Sequence, residues 1–530
     1  MRRAGPGAGL VVGRFEGDDY ALGLAFGRLT GARIVEQEAQ LENLFRALVP
    51  NTVKRFGLRQ LFSFRLRALS REVPPDLLLA IAGVSDGYEP QPPPSGWPAF
   101  RRLIDLHALH EVSQRFVDAP SLQTFCTGFL ASGKATRTGD TLLARNFDFE
   151  GGSVFDREKV VSVMVPEGKI PYLAVGFPGM VGVVSGFNRE GIGVAVQSIA
   201  GGETGTAGEP VTLLVADVLR NERTLEGAIE RIRRARVFVS DLILLGDGRT
   251  GKIAVVEKTP SAFAVRDGGS GTFLGATNEP ATEAVRRLGL PLPPGSTSRR
   301  REQRLLTLLR ELTARGSLDV PAAVGVLRDR RSASGADLGV GNRGAIDGLI
   351  ASHSVVMDLS ARRAWVATAP HTLGAYVPID LETVLAGSGE TLSSAKSIAP
   401  DPLLTSGAFD RYRLARRALA RVRRLEREKP DGWEKAVLSE LRSAHSLSPD
   451  FVDATARLGE ALARGGEKEK GLALLDEALR REPAPALFAK GVESLRDALA
   501  GGRPLPPRGI LAWFPEPDEL IEESGARDVP

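Results

Sequence analysis

The chain of 530 residues contains one cysteine, Cys126, within the stretch SLQTFCTGFLASG at positions 121–133. A lone thiol has an ordinary reading as a small buried hydrophobe and a chemical one as a nucleophile. The chemical reading requires the thiolate, hence a neighbouring base or a lowered pKa. Neither a histidine nor a carboxylate lies close to Cys126 in sequence. One arrangement removes that need. If the peptide bond before Cys126 is cut, the freed α-amino group, with an ordinary pKa of about 8, sits on the nucleophile's own residue and can serve as its base. Downstream, TLLARNFDFEGG supplies Arg145 and Asp148, a cation and a carboxylate at the end of one strand-like run, whose alternative reading is a surface ion pair.

Other chemistries are excluded by residue counts and spacing. One cysteine leaves no intramolecular disulfide and no cysteine-rich metal site. His107, His110, His353, His371 and His445 show no HExxH or other ligand spacing; His107 and His110 could share a helix face, where packing or capping is the ordinary explanation. No metal and no organic cofactor is expected. With 42% hydrophobic and 25% charged residues, the composition is that of a globular protein of two to four domains. The net charge of +4 comes from runs such as RRARVFVS, STSRRREQR and RYRLARRALARVRR, which suit solvated helix faces. No basic patch interleaved with aromatics accompanies them, so no nucleic-acid partner is expected. The N-terminal MRRAGPGAGLVVGRFEG holds an apolar run well short of the about 7–15 residues of a signal-peptide core. No run reaches the roughly 18 residues of a spanning helix. Hence no stable membrane insertion and, by default, a cytoplasmic location are expected.

The elements that must position these residues fall into blocks. Residues 18–48 space apolar side chains at three and four, as an amphipathic helix or a close pair of helices requires, and the texture continues to about residue 118. Pro/Gly-rich GYEPQPPPSGWP at 87–98 interrupts it. Residues 1–125 are thus read as helical and without a chemical motif. From 122, short β-type runs alternate with turn signals: LQTFCTGFLA, TLLARNFDF, KVVSVMV, PYLAVGF, VGVVSGFN and GIGVAVQS. Helical patterns follow at 209–235, then the strands DLILLGDG, KIAVVEK, AFAVRDG and GTFLGATN, a helical pair at 299–313 and 320–330, and the strands SHSVVMDLS and RAWVATA. Strands and helices gathered in separate blocks imply antiparallel sheets with segregated helices, an α+β layered fold over 126–377 and not a doubly wound one. Residues 378–407 read as a linker, 408–502 as a helical module and 503–530 as an irregular tail. In the module, Pro449 and Pro483 stand 34 residues apart, Leu441 answers Leu475 and Ala444 answers Ala478. That is the tetratricopeptide period; a plain helical hairpin is the alternative. Fewer than three repeats are marginal alone, so the module should pack on the main body, on a second copy or on a protein partner.

Taken in order, these segments resemble the choloylglycine hydrolase and acyl-coenzyme A:6-aminopenicillanate acyltransferase group of N-terminal-nucleophile hydrolases, peptidase family C45. CTGF begins at the residue matching the family nucleophile. ARNFDF is similar to the R/Q-N-x-D-[WF] strand end and GFNREGIGVAV to the G-x-N-x-x-G-[IVL] hairpin. LLGDGRTGKIAVVEKTP resembles the following strand pair, GATNEP the T-N-H/N segment, SRRREQRLLTLL the S-x-x-R-x-x-R-x-x-x-L-L helix start, and SHSVVMDLSARRAWVATAP the closing strands. Seven segments in family order cover about 122–370. Two features depart from the family. Glu279 stands where the acyltransferase branch usually has histidine, and 125 residues precede Cys126, whereas bile-salt and penicillin-V hydrolases place the cysteine almost directly after the initiator methionine. The acyltransferase-like branch, with a pro-region released by self-cleavage, fits better.

The resemblance implies a four-layer αββα sandwich, self-cleavage between Phe125 and Cys126, and residues 1–125 held to the catalytic chain by apolar packing. It implies that Asp148 holds the new α-ammonium and that Arg145 lowers the thiol pKa and orders the carboxylate. Asn278 and the backbone N–H of Asn188 would donate to an oxyanion; for Asn188 a turn residue is the equal alternative. Arg301 matches the family's late arginine, with Arg299 and Arg300 as neighbouring competitors. His353 would be the partner in a Cys-His reading, against that of a satisfied core histidine. The expected function is transfer or hydrolysis of the acyl group of a small N-acyl amide or acyl thioester, with acyl-CoA a candidate co-substrate. The alternatives are a phospholipase-B-like or ceramidase-like lipid amidase, and a non-cleaving scaffold with a protein-binding tail.

Overall fold

The computed structural model describes residues 2–4, 9–66, 71–88, 97–107, 125–157, 159–205, 207–290, 296–387 and 392–525. Most of the Pro/Gly-rich break at 87–98, His110 and the end of the tail lie outside them. In chain order the first strands are β1 (Arg2–Ala4), β2 (Leu10–Gly17), β3 (Thr127–Gly133), β4 (Gly139–Phe147), β5 (Val160–Pro166), β6 (Tyr172–Gly176), β7 (Ser185–Asn188) and β8 (Ile192–Ser198). There follow β9 (Asp241–Asp247), β10 (Ile253–Lys258), β11 (Phe263–Gly269), β12 (Phe273–Ala276), β13 (His353–Asp358), β14 (Arg363–Ala367) and β15 (Tyr376–Asp380). One sheet runs β1-β2-β5-β6-β7-β8-β9-β10-β11 and the other β12-β3-β4-β13-β14-β15.

The helices of the first half are α1 (Asp19–Leu48), α2 (Thr52–Leu66), α3 (Pro75–Gly87), α4 (Ala99–His107), α5 (Val211–Asn221) and α6 (Leu225–Arg234). The central ones are α7 (Glu283–Arg286), α8 (Ser298–Ala314), α9 (Val320–Leu327), α10 (Leu381–Ala386) and α11 (Pro402–Thr405). The C-terminal ones are α12 (Ala408–Glu428), α13 (Trp433–Leu447), α14 (Val452–Arg464), α15 (Lys468–Arg480), α16 (Ala486–Ala500) and α17 (Pro517–Ser524). Among the described residues no helix is long and apolar enough to cross a membrane.

Side-chain alternation along the strands sorts residues between cores. Leu130, Leu143, Val355, Met357 and Val366 of the six-stranded sheet meet Val161, Leu173, Phe187, Ala195 and Leu244 of the nine-stranded sheet. Their neighbours Phe129, Ala131, Ala144 and Val356 point the other way, onto Leu305 and Leu309 of α8 and Val324 and Leu327 of α9. The outer face of the nine-stranded sheet, with Val194, Val196, Ile243 and Val256, packs on residues of α1, α3, α4, α5 and α6.

The helical reading of residues 1–125 needs correction at its start, where Arg2–Ala4 and Leu10–Gly17 are paired strands. Leu10–Gly17 is a strand, paired in parallel with β5 from Val11↔Val160 to Gly17↔Pro166. Its apolar run is too short to show a helical period, and its partner lies far along the chain, so only long-range pairing reveals it. Beyond it, α1 and α3 approach to backbone contact through paired glycines. A Cβ on Gly27 would lie 2.4 Å from the Val84 carbonyl oxygen, and one on Gly83 would lie 2.1 Å from that of Tyr20.

The C-terminal half also departs from expectation at both of its edges. The stretch read as a linker from 378 begins with the last residues of β15, an edge strand paired with β14, and continues into α10, which Asp380 caps by accepting from the Thr383 N–H. The tail contains α17, started by a capping box between Glu516 and Glu519. Between these, α12 to α16 share two cores; Leu441 and Leu475, and Ala444 and Ala478, are buried alike.

Gly27→Ala is expected to destabilise the protein by about 1–3 kcal/mol, because the added methyl must push α3 away from α1. Gly57→Ala on α2, where a Cβ meets nothing within 4 Å, is expected to be neutral or mildly stabilising. Thermal melting of the two variants beside the parent checks the contrast.

Candidate active site

Cys126 immediately precedes β3, and the register between β3 and β4 pairs Thr127 with Asn146 and Gly128 with Arg145. The two-residue period then places Cys126 on the face that carries Gly128 and Leu130, and Arg145 on the face that carries Leu143 and Phe147. Both face the nine-stranded sheet. The sheets close tightly there: a Cβ on Gly128 would lie 2.6 Å from Gln197 Nε2 on β8. Arg145 is fully buried, and its Nη2 donates to Cys126 Sγ at 3.1 Å. Its Nη1 donates to the Val184 carbonyl at 2.9 Å and to Ser185 Oγ at 3.2 Å, tying the thiol to the opposite sheet.

Arg301, in the first turn of α8, completes the site from the helix side. Its Nη1 donates to the carbonyl oxygens of Phe125 and Cys126 and to Thr127 Oγ1. Its Nη2 donates to Asn278 Oδ1 at 3.0 Å. Asn278 arrives there because β12 pairs with β3, with Ala276 opposite Gly128, so two residues further on the chain lies beside Cys126. The choice among three successive arginines is settled by burial. Arg301 is 1% exposed, whereas Arg299 is largely exposed and pairs with Glu279 at 2.9 Å, and Arg300 reaches outward to the Glu482 and Pro483 carbonyls.

Burial dominates the electrostatics. It pushes the Cys126 thiol above its usual pKa, and the adjacent Arg145 only partly opposes that shift, so in the intact chain the thiol is protonated. Arg145 does pull the thiol pKa down, through its charge and its hydrogen bond, but removing water from the sulfur outweighs one neighbouring cation. Burial likewise raises Asp148 to about 7 against the pull of Arg301, and lowers Arg301 to about 10.

The remaining expectations divide. Asn278 is at the site, yet its Nδ2 donates to the Ser198 carbonyl at 2.9 Å. The side chain of Asn188 is turned to the hairpin and not to this cluster. Its Nδ2 donates to the Leu219 and Glu222 carbonyls and its Oδ1 accepts from the Ile192 N–H, which fastens the β7–β8 hairpin to the end of α5. His353 is fully buried, and its Nε2 shares a 2.9 Å hydrogen bond with Ser185 Oγ, one residue removed from the thiol. Burial holds its pKa well below the usual value, so the ring is neutral. Ser185, Ser198, Glu150 and Arg343 were not singled out from the sequence. Arg343 lies in the glycine-rich segment GVGNRGAIDG, where neither helical nor strand period draws attention.

An apolar cavity of about 30 Å³ adjoins the thiol's cluster, lined by Phe147, Phe149, Phe155, Phe177, Met180 and Val184. Leu106 and His107 of α4 and Thr212 of α5 complete its wall. His107 is neutral, its pKa lowered to about 4 by burial, and its Nε2 accepts from the Val181 N–H. At this size the cavity holds one water-sized group. Among the described residues no group of His, Cys, Asp and Glu is placed to hold a metal ion.

Residues 135–336 match the family model of acyl-coenzyme A:6-aminopenicillanic acid acyl-transferase, a span that includes Arg145, Asp148, Asn188, Asn278 and Arg301 and begins after Cys126. The resemblance read from the sequence is thereby borne out. No curated protein matches the chain at a significant level. Among solved structures, a Caenorhabditis elegans N-acylethanolamine-hydrolyzing acid amidase ortholog is similar at 19% identity and a TM-score of 0.34, over 44% of this chain and 93% of that one. A mutant conjugated bile acid hydrolase from Clostridium perfringens is similar at 16% identity and a TM-score of 0.34, over 51% of this chain and 95% of that one.

The raised Asp148 pKa has a measurable sign. Its stabilising contribution is fully present below the ordinary carboxylate value of 3.8 and is lost as pH rises through about 7. In a Cys126→Ala background, the melting temperature relative to that of the Cys126→Ala/Asp148→Asn chain is expected to fall between pH 5 and pH 8. A gap that stays constant over this range would show that Asp148 is not held protonated.

Proposed function

We propose, from the match of residues 135–336 to the acyltransferase family and the surroundings of Cys126, that the chain is a self-cleaving N-terminal-nucleophile enzyme. Its substrate would be a small N-acyl amide or acyl thioester, whose acyl group passes to water or to an amine. The observation that carries this reading is a pair of buried guanidiniums, one donating to Cys126 Sγ and the other to the carbonyl oxygen of Phe125. Sulfur and the carbonyl that it would attack are thus each held by a positive charge.

In this reading Sγ adds to the Phe125 carbonyl carbon, and Arg301 takes the developing negative charge on the oxygen. The bond to the Cys126 nitrogen breaks, the nitrogen takes the thiol proton, and a thioester joins Phe125 to Sγ. Water hydrolyses that thioester, leaving a carboxylate on Phe125 and a free thiol and α-amine on Cys126. The amine then serves as general base when Sγ attacks substrate, and returns the proton to the leaving amine or thiol. An ammonium formed beside Asp148 would favour its carboxylate, reversing the burial effect of the intact chain. Asn278 joins as an oxyanion donor on exchanging Ser198 for substrate.

The lining of Phe147, Phe149, Phe155, Phe177 and Met180 supports an apolar acyl group, for which a cavity that holds one water-sized group in the intact chain would widen on cleavage. The same lining keeps a lipid amidase as the second reading. Cores on both faces of each sheet support a four-layer αββα sandwich, and the equivalent burial of Leu441 with Leu475 supports a tetratricopeptide-like module. With β2 paired to β5 and α4 walling the cavity, residues 1–125 stay attached after cleavage instead of being released.

Intact mass and N-terminal sequencing of the purified protein are expected to give two fragments divided between Phe125 and Cys126, co-eluting under native conditions, in place of one 56.6 kDa chain. Cys126→Ala should remain whole, and Arg301→Met should slow cleavage by roughly 10²–10³. A wild-type chain that stays intact rejects this reading in favour of a non-cleaving scaffold. In turnover, substrates with larger apolar acyl groups are expected to exceed the acetyl analogue in kcat/KM by roughly tenfold or more. Equal rates for long and short acyl groups would remove the cavity from the acyl site.

A further inference from the structure

Arg343 and Glu150 form a buried ion pair, with Nη2 to Oε1 at 2.6 Å and Nη1 to Oε2 at 2.5 Å. Pairs of this kind commonly return less than their desolvation costs, so stability alone is a poor reason for one here. The location suggests another. The Arg343 guanidinium carbon lies 5.5 Å from the centroid of the Phe125 ring, and that of Arg301 lies 5.8 Å from the same centroid. The ring of the residue before Cys126 is therefore in contact range of two cations, one of which also holds its carbonyl oxygen.

The segment carrying Arg343 has no helix or strand of its own; Ile346 and Asp347 beyond it are tied to Asn146 of β4 and to Arg330, and the stretch around Arg343 itself is supported from the C-terminal helices. Asn342 Nδ2 donates to the Arg481 and Glu482 carbonyls at 3.1 and 3.3 Å. Arg481 pairs with Asp337 at 3.0 Å. Val340 and Leu349 join the core of Phe409, Tyr412 and Phe451. At Gly341, with φ of +69°, a Cβ would fall 2.2 Å from Tyr412 Oη, so only glycine lets the segment lie this close to α12.

We propose that Arg343 is a positioning residue for the Phe125–Cys126 bond, orienting Phe125 through its ring, and that the C-terminal helical module is the internal brace that sets Arg343 in place. This inference rests on the self-cleavage reading. It gives the module a role within the chain, distinct from recruitment of a partner.

A double-mutant cycle on self-cleavage tests it, with full-length chains made by cell-free translation and followed on denaturing gels. Arg343→Lys keeps a charge for Glu150 but loses the flat guanidinium face, and Phe125→Leu keeps an apolar side chain but loses the ring. Each is expected to slow cleavage by roughly tenfold, and the double variant to be no slower than either single one. A purely structural Arg343 would make the two losses multiply, and that result overturns the proposal while leaving self-cleavage standing. A wild-type chain that never cleaves overturns both. Melting of the Cys126→Ala counterparts identifies any variant that does not fold. Should Arg343→Lys be one, Asn342→Ala, which leaves Arg343 and Glu150 in place, is expected to slow cleavage several-fold, and an unchanged rate overturns the proposal.

Discussion

The candidate site depends on one guanidinium, that of Arg301, buried without a carboxylate in direct contact. Its acceptors are neutral: two successive backbone carbonyls, the hydroxyls of Thr127, Thr297 and Ser298, and the amide oxygen of Asn278. A buried cation can be kept only where its hydrogen-bonding capacity is met. Meeting it here draws together the end of residues 1–125, the start of β3, the turn after β12 and the first turn of α8. Moving any of these leaves a charge unsatisfied in a dry interior, so the geometry around Phe125 and Cys126 is strongly constrained.

The same dryness governs reactivity. In the continuous chain the sulfur is closed off between two sheets and its pKa is raised, which makes it a poor general nucleophile while leaving the adjacent carbonyl within its own residue's reach. The small apolar cavity beside it holds little more than a water molecule. In the proposed reading such a site serves an internal event first, with access for other molecules dependent on cleavage of the bond before Cys126.

Support for that arrangement comes from both ends of the chain. The N-terminal part contributes a strand to the larger sheet and a wall of the cavity. The C-terminal part reaches back in two places. Asp518 on α17 accepts from Gln40 Nε2 on α1 and from the Ser153 N–H, while Arg416 and Arg423 on α12 anchor α17 through Glu519 and Glu523. The sections that read as separable modules are therefore joined by specific hydrogen bonds and ion pairs, and the contacts between the Arg343 segment and the C-terminal helices are one part of that union.

What could be read directly was whatever a short window encodes. Strand alternation, turn glycines and the 299–313 helical period gave the α+β class, most strands and the block order, and local motifs brought out Cys126, Arg145, Asp148, Asn278 and Arg301. β2 escaped because eight residues carry too little period, and Asn188 stayed open to two readings because a residue that caps a hairpin has the same local pattern as one that serves a site. Arg301 could not be separated from its two neighbours because the distinction is one of burial.

The linear order of residues by itself determined which side chains share a strand face or a helix turn, since backbone geometry repeats every two residues or every 3.6. Only the tertiary structure decided which of those faces meet. Phe125 and Arg301 lie 176 positions apart and Glu150 and Arg343 lie 193 apart, and nothing local distinguishes a charge that will be buried from one that will stay in water. That outcome is set by how the two sheets, the N-terminal strand and the C-terminal helices close over the same small volume.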